Sequence, residues 1–124
     1  MKKKYLIVTG GAGFVGSNLI KFFLEKTKFN IISIDNYYTG SKRNEIKNKK
    51  IKYIKSDTKN ISKILNPYKK NIHTLFHFGE FSRIYQSFVK MDDCFNSNMV
   101  GTNEVFNFCL SNKIKLIYSA TSAS

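Results

Sequence analysis

Hydrophobic positions in this chain fall into five short runs, separated by longer amphipathic or polar stretches. Short runs rich in isoleucine, valine and aromatic residues predict β-strands. The predicted strands are Tyr5–Thr9, Asn30–Ile34, Ile51–Ile54, Ile72–Phe78 and Lys113–Ser119. The second run is dominated by isoleucine, which is typical of a strand buried on both faces.

Between these runs, apolar residues recur at helical spacing. The predicted helices are Phe14–Lys26, Ser62–Leu65 ended by Pro67, and a long helix from about Asp92 to Ser111. In the first helix, Leu19, Phe22 and Phe23 are expected on the inner face. Residues 36–50 are polar with little periodicity, which predicts a loop with at most one short helical turn.

The alternation of strands and helices predicts the fold class. It is typical of an α/β domain with a doubly wound parallel sheet, here of about five strands with helices on both faces. Ligands of such sheets bind beyond the carboxyl ends of the strands. The residues that directly follow each strand are therefore the candidates for function.

Three glycines, at positions 10, 13 and 16, lie between the first strand and the first helix. Gly10 permits a tight turn, Gly13 lets backbone N–H groups approach a pyrophosphate, and Gly16 lets the helix pack closely. The helix N-terminus adds partial positive charge. Asp35 follows about 20 residues later, where a dinucleotide-binding unit has its ribose-binding acid. The spacing predicts a dinucleotide site.

Composition narrows the class of protein further. A length of 124 residues fits one domain with a single core. No apolar run approaches the roughly 20 residues that span a bilayer. The basic start Met1–Lys4 precedes too short an apolar run for a signal peptide, so we expect a cytoplasmic protein without a membrane partner.

The net charge of +13 raises the question of nucleic-acid binding. However, the lysines are scattered, and only two of the 21 basic residues are arginine. We therefore expect no nucleic-acid partner, although a basic nucleic-acid-binding protein stays an alternative.

Cys94 and Cys109 fall in one predicted helix. A separation of 15 positions places them roughly 22 Å apart, far beyond disulfide reach. We expect reduced thiols, and their spacing predicts no metal site.

The run Thr9–Gly16 resembles the opening of the extended short-chain dehydrogenase/reductase family, and within it the NAD-dependent nucleotide-sugar epimerases and dehydratases of the UDP-glucose 4-epimerase kind. Further motifs extend the resemblance over the chain. They are Asp35–Gly40, Ser56–Thr58, Phe76–Gly79, Asn98–Thr102 and Ile117–Ser122. The resemblance implies an NAD(P)-binding Rossmann fold, NAD as cofactor, a nucleotide-sugar substrate, and a full-length protein that can form a homodimer.

The resemblance also implies which residues act. The implied cofactor-binding residues are Gly10, Gly11, Gly13, Phe14, Val15, Gly16, Asp35, Asn36, Asp57, Thr58, Phe78, Gly79, Asn98 and Ser119. Thr121 would be the catalytic residue that helps to position the substrate, and no metal is implied.

Several of these roles leave alternatives open. Asp35 is expected to accept hydrogen bonds from the adenosine ribose and to repel a 2′-phosphate, which favours NAD over NADP. Lys42 and Arg43 argue the other way, since they could pair with that phosphate. Asp57 would contact adenine or simply end the third strand. Asn98 is either a cofactor ligand or a packing-neutral helix residue.

The histidines and the acid after the fourth strand invite catalytic interpretations. His77 could be a general base, but a buried, neutral, hydrogen-bonded histidine is the preferred interpretation. His73 is expected to face solvent at the far end of the sheet. Glu80 replaces the family's small residues and is interpreted as a solvated loop acid, with substrate binding as the alternative. Arg83 could meet a diphosphate.

Family members exchange the substrate proton through Tyr-x-x-x-Lys on the helix after the fifth strand. One such pattern occurs here, Tyr38–Lys42, but it lies in the loop after the second strand and is interpreted as unrelated. We therefore expect residues 1–124 to be one NAD(P)-binding domain, truncated before the catalytic helix and the substrate domain. The alternative is a self-standing nucleotide-binding module without catalysis.

Overall fold

The structure, a computed structural model, describes residues 3–37, 41–78 and 91–119; within the last range, 91–99 and 119 are described by their backbone alone. The strands are β1 (Tyr5–Thr9), β2 (Asn30–Asp35), β3 (Ile51–Lys55), β4 (Ile72–Phe78) and β5 (Lys115–Ser119). The α-helices are α1 (Phe14–Lys26), α2 (Ile61–Leu65) and α3 (Met91–Asn112). Short 3-10 helices cover Lys42–Asn44, Thr58–Asn60 and Asn66–Asn71.

The five strands form one sheet in the order β3-β2-β1-β4-β5. All four neighbouring pairs are parallel. The chain starts in the middle, builds outward to β3, and then crosses to β4 on the other side of β1. The prediction of a doubly wound parallel sheet of about five strands is confirmed.

Apolar side chains on the two faces of the sheet form two cores. On one face, Ile20 and Phe23 of α1 pack against the sheet in a cluster with Leu6 and Val8 of β1 and Ile31 of β2. On the other face, a larger cluster joins α2 and α3 to the sheet. Its buried members are Ile7, Ile32, Ile34, Ile61, Leu65, Leu75, Val105, Phe108, Cys109 and Ile114. Side chains of β1 and β2 thus alternate between two dry faces, as the isoleucine-rich pattern indicates.

The prediction that Phe22 lies on the inner face of α1 is wrong. Phe22 is 54% exposed, whereas the inner face of α1 runs through Gly16, Ile20 and Phe23. These three positions are spaced by four and three residues, the spacing of one helical stripe. Phe22 lies two positions after Ile20 and therefore points away from the sheet.

Several predicted boundaries shift by one or two residues. α2 ends at Leu65, before Pro67, as predicted, but the chain continues directly into a 3-10 helix with proline in its first turn, where the missing N–H costs nothing. β2 extends by one residue to Asp35. β5 begins at Lys115 rather than Lys113, since Lys113 turns the chain with a φ of 55° and the Ile114 N–H donates to the Cys109 carbonyl.

The cysteine prediction is confirmed as far as the structure describes it. Both cysteines lie on α3, and Cys109 is buried and not in a disulfide. Burial raises the pKa of the Cys109 thiol to about 11, which keeps it protonated and inert at neutral pH. Among the helices of the described ranges, none is both long and apolar enough to cross a membrane.

Candidate functional site

The turn from β1 into α1 is made possible by backbone freedom at Gly10. Gly10 has a φ of 76°, a backbone angle that residues with a Cβ rarely adopt. Its N–H donates to the Ile34 carbonyl at 2.8 Å, and its own carbonyl accepts the Gly13 N–H at 3.1 Å. Among the described residues, no side chain caps the start of α1. The N–H groups of the first turn are therefore directed at the space beyond the sheet, an arrangement suited to an anion.

Close packing explains two further glycines. A Cβ on Gly16 would lie 2.2 Å from the Gly10 carbonyl oxygen, so only glycine lets α1 approach the turn. A Cβ on Gly11 would lie 1.9 Å from Ser33 Oγ of β2. At Gly13, by contrast, the nearest atom would be 3.4 Å away. Packing does not require glycine there, which leaves the approach of a ligand as the reason that the sequence pattern suggests.

The Asp35 carboxylate joins the end of β2 to this turn. One oxygen accepts the Ala12 N–H at 2.9 Å and the other accepts the Tyr37 N–H at 2.7 Å. The side chain is only 9% exposed. Each carboxylate oxygen has a second lone pair, so Asp35 can still accept one further hydrogen bond on each side.

The segment after β2 is attached to the same turn. The Ala12 carbonyl accepts the Ser41 N–H at 3.1 Å and the Asn44 side-chain amide at 2.7 Å. Near the start of this segment, the Tyr37 hydroxyl donates to the Glu45 carboxylate. Burial, reinforced by Glu45, raises the pKa of Tyr37, so the donor stays protonated.

His77 connects the carboxyl ends of β1 and β4 to α3. Its Nδ1 lies 2.6 Å from Thr9 Oγ1 and its Nε2 lies 3.0 Å from Thr102 Oγ1. Because Thr9 Oγ1 already accepts the Phe78 N–H at 3.2 Å, its hydroxyl proton is available to Nδ1. This arrangement assigns the imidazole hydrogen to Nε2, where it donates to Thr102.

The preferred interpretation of the two histidines is confirmed. His77 is 3% exposed, and burial lowers its pKa to about 4. It is therefore neutral at physiological pH, with both ring nitrogens engaged. His73 is exposed at the opposite end of β4, where its Nδ1 contacts Thr74 Oγ1.

Residues after β3 have structural partners of their own. Asp57 accepts the Lys59 N–H at 3.0 Å and caps the 3-10 helix that follows. Thr58 packs against α3 so closely that a Cβ on Gly101 would lie 2.0 Å from Thr58 Oγ1. This contact gives a packing reason for glycine at position 101. The capping geometry of Asp57 agrees with the turn interpretation, while adenine contacts of Asp57 and Thr58 stay predictions.

The remaining predicted residues divide by how the structure places them. Phe14 and Val15 are 81% and 57% exposed at the start of α1, and Asn36 is exposed directly after Asp35. Asn98 is placed within α3, and Ser119 lies in register with Phe78 at the ends of β5 and β4. Lying outside the described residues are Gly79, Glu80, Arg83, Thr121 and the start of the Tyr38–Lys42 pattern.

Sequence reasoning missed the residues that hold Ala12 and His77 in place by hydrogen bonds. Ser41 and Asn44 gave no signal, because a polar loop offers many equivalent donors. Thr102 could have been found, since it closes the Asn98–Thr102 motif. In the described parts of the chain, no group of three or more His, Cys, Asp or Glu side chains could hold a metal ion.

A parallel sheet in this order, with a glycine turn leading into the first helix and an acid after the second strand, defines a Rossmann-like α/β fold. The comparison with known families agrees. Residues 6–124 match the model of the NAD dependent epimerase/dehydratase family, and the chain belongs to that family. The resemblance seen in the sequence motifs is confirmed.

Individual relatives give the same result. The chain is 32% identical over 121 residues to an ADP-L-glycero-D-manno-heptose-6-epimerase of Brachyspira hyodysenteriae, covering 96% of this chain and 37% of that protein. It is 28% identical, with a TM-score of 0.79, to a UDP-N-acetylglucosamine 4-epimerase of Methanobrevibacter ruminantium in complex with UDP-N-acetylmuramic acid, covering 98% of this chain and 39% of that one.

A UDP-glucose 4-epimerase of Bifidobacterium longum in complex with NAD+ and UDP is 26% identical, with a TM-score of 0.77, and the match covers 95% of this chain and 37% of that one. The chain thus spans less than two fifths of the length of these three proteins.

Proposed function

We propose that this chain is the cofactor-binding portion of an NAD-dependent enzyme that epimerises or dehydrates a nucleotide sugar, for example a UDP-hexose through a 4-keto intermediate. The observation that carries the proposal is the Asp35 carboxylate, held on the glycine turn by the Ala12 N–H. This contact brings the end of β2 and the start of α1 into one site with the polarity that an adenosine diphosphate requires.

The described residues fit NAD in three places. The start of α1 would take the pyrophosphate, and the Asp35 carboxylate would accept the adenosine ribose hydroxyls through its remaining lone pairs. Asp57 and Thr58, after β3, would border the adenine. Bound NAD supplies a hydride acceptor, and the work of this chain is to orient it. The substrate side would lie beyond the ends of β4 and β5, with Ser119 and Thr121.

A titration tests the cofactor part of the proposal. Calorimetry with NAD should show one site, and Asp35→Asn should weaken binding by about 10- to 100-fold, because two charge-assisted hydrogen bonds become neutral ones. Glu25→Gln is the matched control, since Glu25 is an exposed acid on α1. Equal NAD affinity of the Asp35→Asn variant and the unaltered chain would remove Asp35 from the site.

Turnover separates the enzyme from a non-catalytic nucleotide-binding module. The full-length protein that carries this chain should interconvert UDP-hexoses or release a dehydrated UDP-sugar, and its homodimer should be seen by light scattering. Binding of NAD without conversion of any UDP-sugar would favour the module. We also propose a cytoplasmic location, which the free and buried Cys109 supports.

A further inference from the structure

An exposed lysine lies two positions before the first residue of each of the five strands. These five residues, called the strand-start lysines from here on, are Lys3, Lys28, Lys49, Lys70 and Lys113. Lys and Arg together make up 21 of the 124 residues, so an even distribution would place a cation at less than one of the five positions. The pattern is therefore tied to the strands and not only to the basic composition.

The parallel sheet brings these lysines together. Because all neighbouring strands are parallel, the five strand starts meet at one end of the sheet. Two backbone hydrogen bonds show that the preceding segments are adjacent: the Asn30 N–H donates to the Lys4 carbonyl at 2.9 Å, and the Ile31 N–H donates to the Lys50 carbonyl at 2.7 Å. Neighbouring strands lie about 4.8 Å apart, so the row of strand starts extends over roughly 20 Å. Lysines that are scattered along the sequence are thus gathered at one end of the fold.

Acidic side chains do not offset this charge. Among the described acids, Asp35, Glu45 and Asp57 lie at or beyond the carboxyl ends of β2 and β3, at the other end of the sheet. Glu104 is more than two turns before the end of α3. Of the described acids, only Glu25, in the last turn of α1, is near the strand starts. The strand-start end therefore has a positive potential.

The ammonium groups of the strand-start lysines are available to a ligand. Lys50, in the same row, shows the contrast, because its Nζ donates to the Leu24 and Thr27 carbonyls at 3.0 and 2.8 Å. Within the described residues, the five strand-start lysines make no such hydrogen bond or ion pair through their side chains. Exposed ammonium groups without a partner are point charges that suit phosphate oxygens.

Aromatic rings border the row of lysines on both sides. Phe29, next to Lys28, packs against the exposed His73 with the ring centroids 4.8 Å apart. Tyr5 packs against Tyr68 with the centroids 5.0 Å apart. Phe29 joins the core under α1, whereas Tyr5 and Tyr68 join the core on the other face of the sheet. Positive charge beside partly exposed rings is the combination with which proteins bind single-stranded nucleic acid, since the charge follows the backbone and the rings stack on bases.

We propose that the strand-start lysines form a binding surface for single-stranded nucleic acid, held through its phosphates without sequence preference. The surface takes up the alternative that the net charge of the chain leaves open. Lysines bind phosphates without the planar fork that reads base edges, so contacts to the backbone are expected to dominate. The surface lies at the end of the sheet opposite Gly10 and Asp35. It is therefore separate from the proposed dinucleotide site, and the chain can hold both ligands at once.

Fluorescence anisotropy of the full chain with a labelled oligouridylate of about 20 nucleotides measures this binding. Five phosphate contacts predict a slope of about −3.5 for log Kobs against log salt, which is a loss of affinity of about 100-fold between about 50 and 200 mM salt. The triple variant Lys28→Gln, Lys49→Gln, Lys70→Gln should reduce the magnitude of the slope by about 2. It should also weaken binding by at least about tenfold at about 50 mM salt.

The matched control removes the same three charges at the other end of β3. Lys55→Gln, Lys59→Gln and Lys63→Gln replace exposed lysines at the end of β3 and in the segment that follows it. This triple variant should weaken binding by less than about threefold. Circular dichroism of both variants checks that they are folded.

Several outcomes would overturn the proposal. Equal weakening by the two triple variants would show that net charge alone attracts the oligonucleotide. No binding at about 50 mM salt, tighter binding of a duplex of the same length, or binding to phosphatidylserine vesicles without binding to the oligouridylate would each exclude a surface for single strands. Displacement of the oligonucleotide by NAD would place it in the dinucleotide site. The strand-start variant should bind NAD like the unaltered chain, so failure of this surface is distinguishable from failure of the proposed function.

Discussion

Protonation of His77 should destabilise the fold in mild acid. In the native state, burial lowers the pKa of His77 from 6.5 to about 4, so the unfolded chain takes up this proton at higher pH than the folded chain. The resulting stability is complete above pH 6.5 and is lost as the pH falls towards 4. At 1.36 kcal/mol per pKa unit, the loss is about 2 kcal/mol between pH 7.5 and pH 5, and about 3 kcal/mol once the pH is below 4.

The structure explains why this proton is excluded. His77 is enclosed by Thr9 and Thr102 and stacks on Tyr118 with the ring centroids 5.4 Å apart. A second imidazole proton would need Nδ1 to donate, but Thr9 Oγ1 already accepts the Phe78 N–H, so its own hydrogen would lose its acceptor. Protonation would therefore place a positive charge on the buried imidazole, away from water, and would break the hydrogen bond that the Thr9 hydroxyl donates to Nδ1.

Urea unfolding followed by far-UV circular dichroism at pH 7.5, 6 and 5 measures the effect. His77→Gln is the comparison, because glutamine keeps neutral hydrogen-bonding groups and does not titrate. This variant should be less stable at pH 7.5 but should lose about 2 kcal/mol less than the unaltered chain on going to pH 5. Carboxylates contribute equally to both proteins. Parallel losses in the two would refute the assignment of the acid sensitivity to His77.

Four other substitutions test the close contacts and hydrogen bonds of the described residues, each by the free energy of unfolding in urea. Gly16→Ala should lower the free energy of unfolding by about 2 kcal/mol or more, because its Cβ would lie 2.2 Å from the Gly10 carbonyl oxygen. Gly13→Ala should lower it by less than about 1 kcal/mol, because the nearest atom to its Cβ would be 3.4 Å away. Equal losses in the two variants would contradict the packing argument. Ser33→Ala should leave stability unchanged or raise it by about 1 kcal/mol, since its buried hydroxyl has no hydrogen-bond partner within the described residues; a clear loss would reveal such a partner. Lys50→Met should cost about 1 kcal/mol, because its ammonium donates to two carbonyls at the end of α1 at 2.8 and 3.0 Å, and high salt should not remove this loss if direct hydrogen bonds cause it.

The sheet could be predicted from the sequence because its strands are short isoleucine-rich runs between clear breaks. The parallel, doubly wound arrangement followed from the alternation of strands and helices. Details that depend on tertiary contacts could not be predicted. Phe22 has the same hydrophobicity as Phe23, and only the exact rotation of α1 on the sheet decides that Phe23 is buried. Likewise, Pro67 breaks an α-helix but starts a 3-10 helix, and the sequence does not distinguish these outcomes.

The site divides in the same way. Gly10, Gly16 and Asp35 could be predicted, because each satisfies a local requirement of backbone angle, close approach or charge at a fixed spacing. The two-sided hydrogen bonding of the Asp35 carboxylate could not, since it depends on where Ala12 and Tyr37 meet in space.

Ala12 is the residue through which these parts of the site act together. Its N–H is held by Asp35 from β2, and its carbonyl is held by Ser41 and Asn44 from the following segment. A turn restrained on both sides has little conformational freedom to lose when a ligand binds, so more of the interaction energy is available for affinity. The glycines make the turn possible, but its position is set by polar contacts from outside the glycine motif. The dinucleotide binding that we propose thus depends on β2 and the 3-10 helix after it as much as on the glycines themselves.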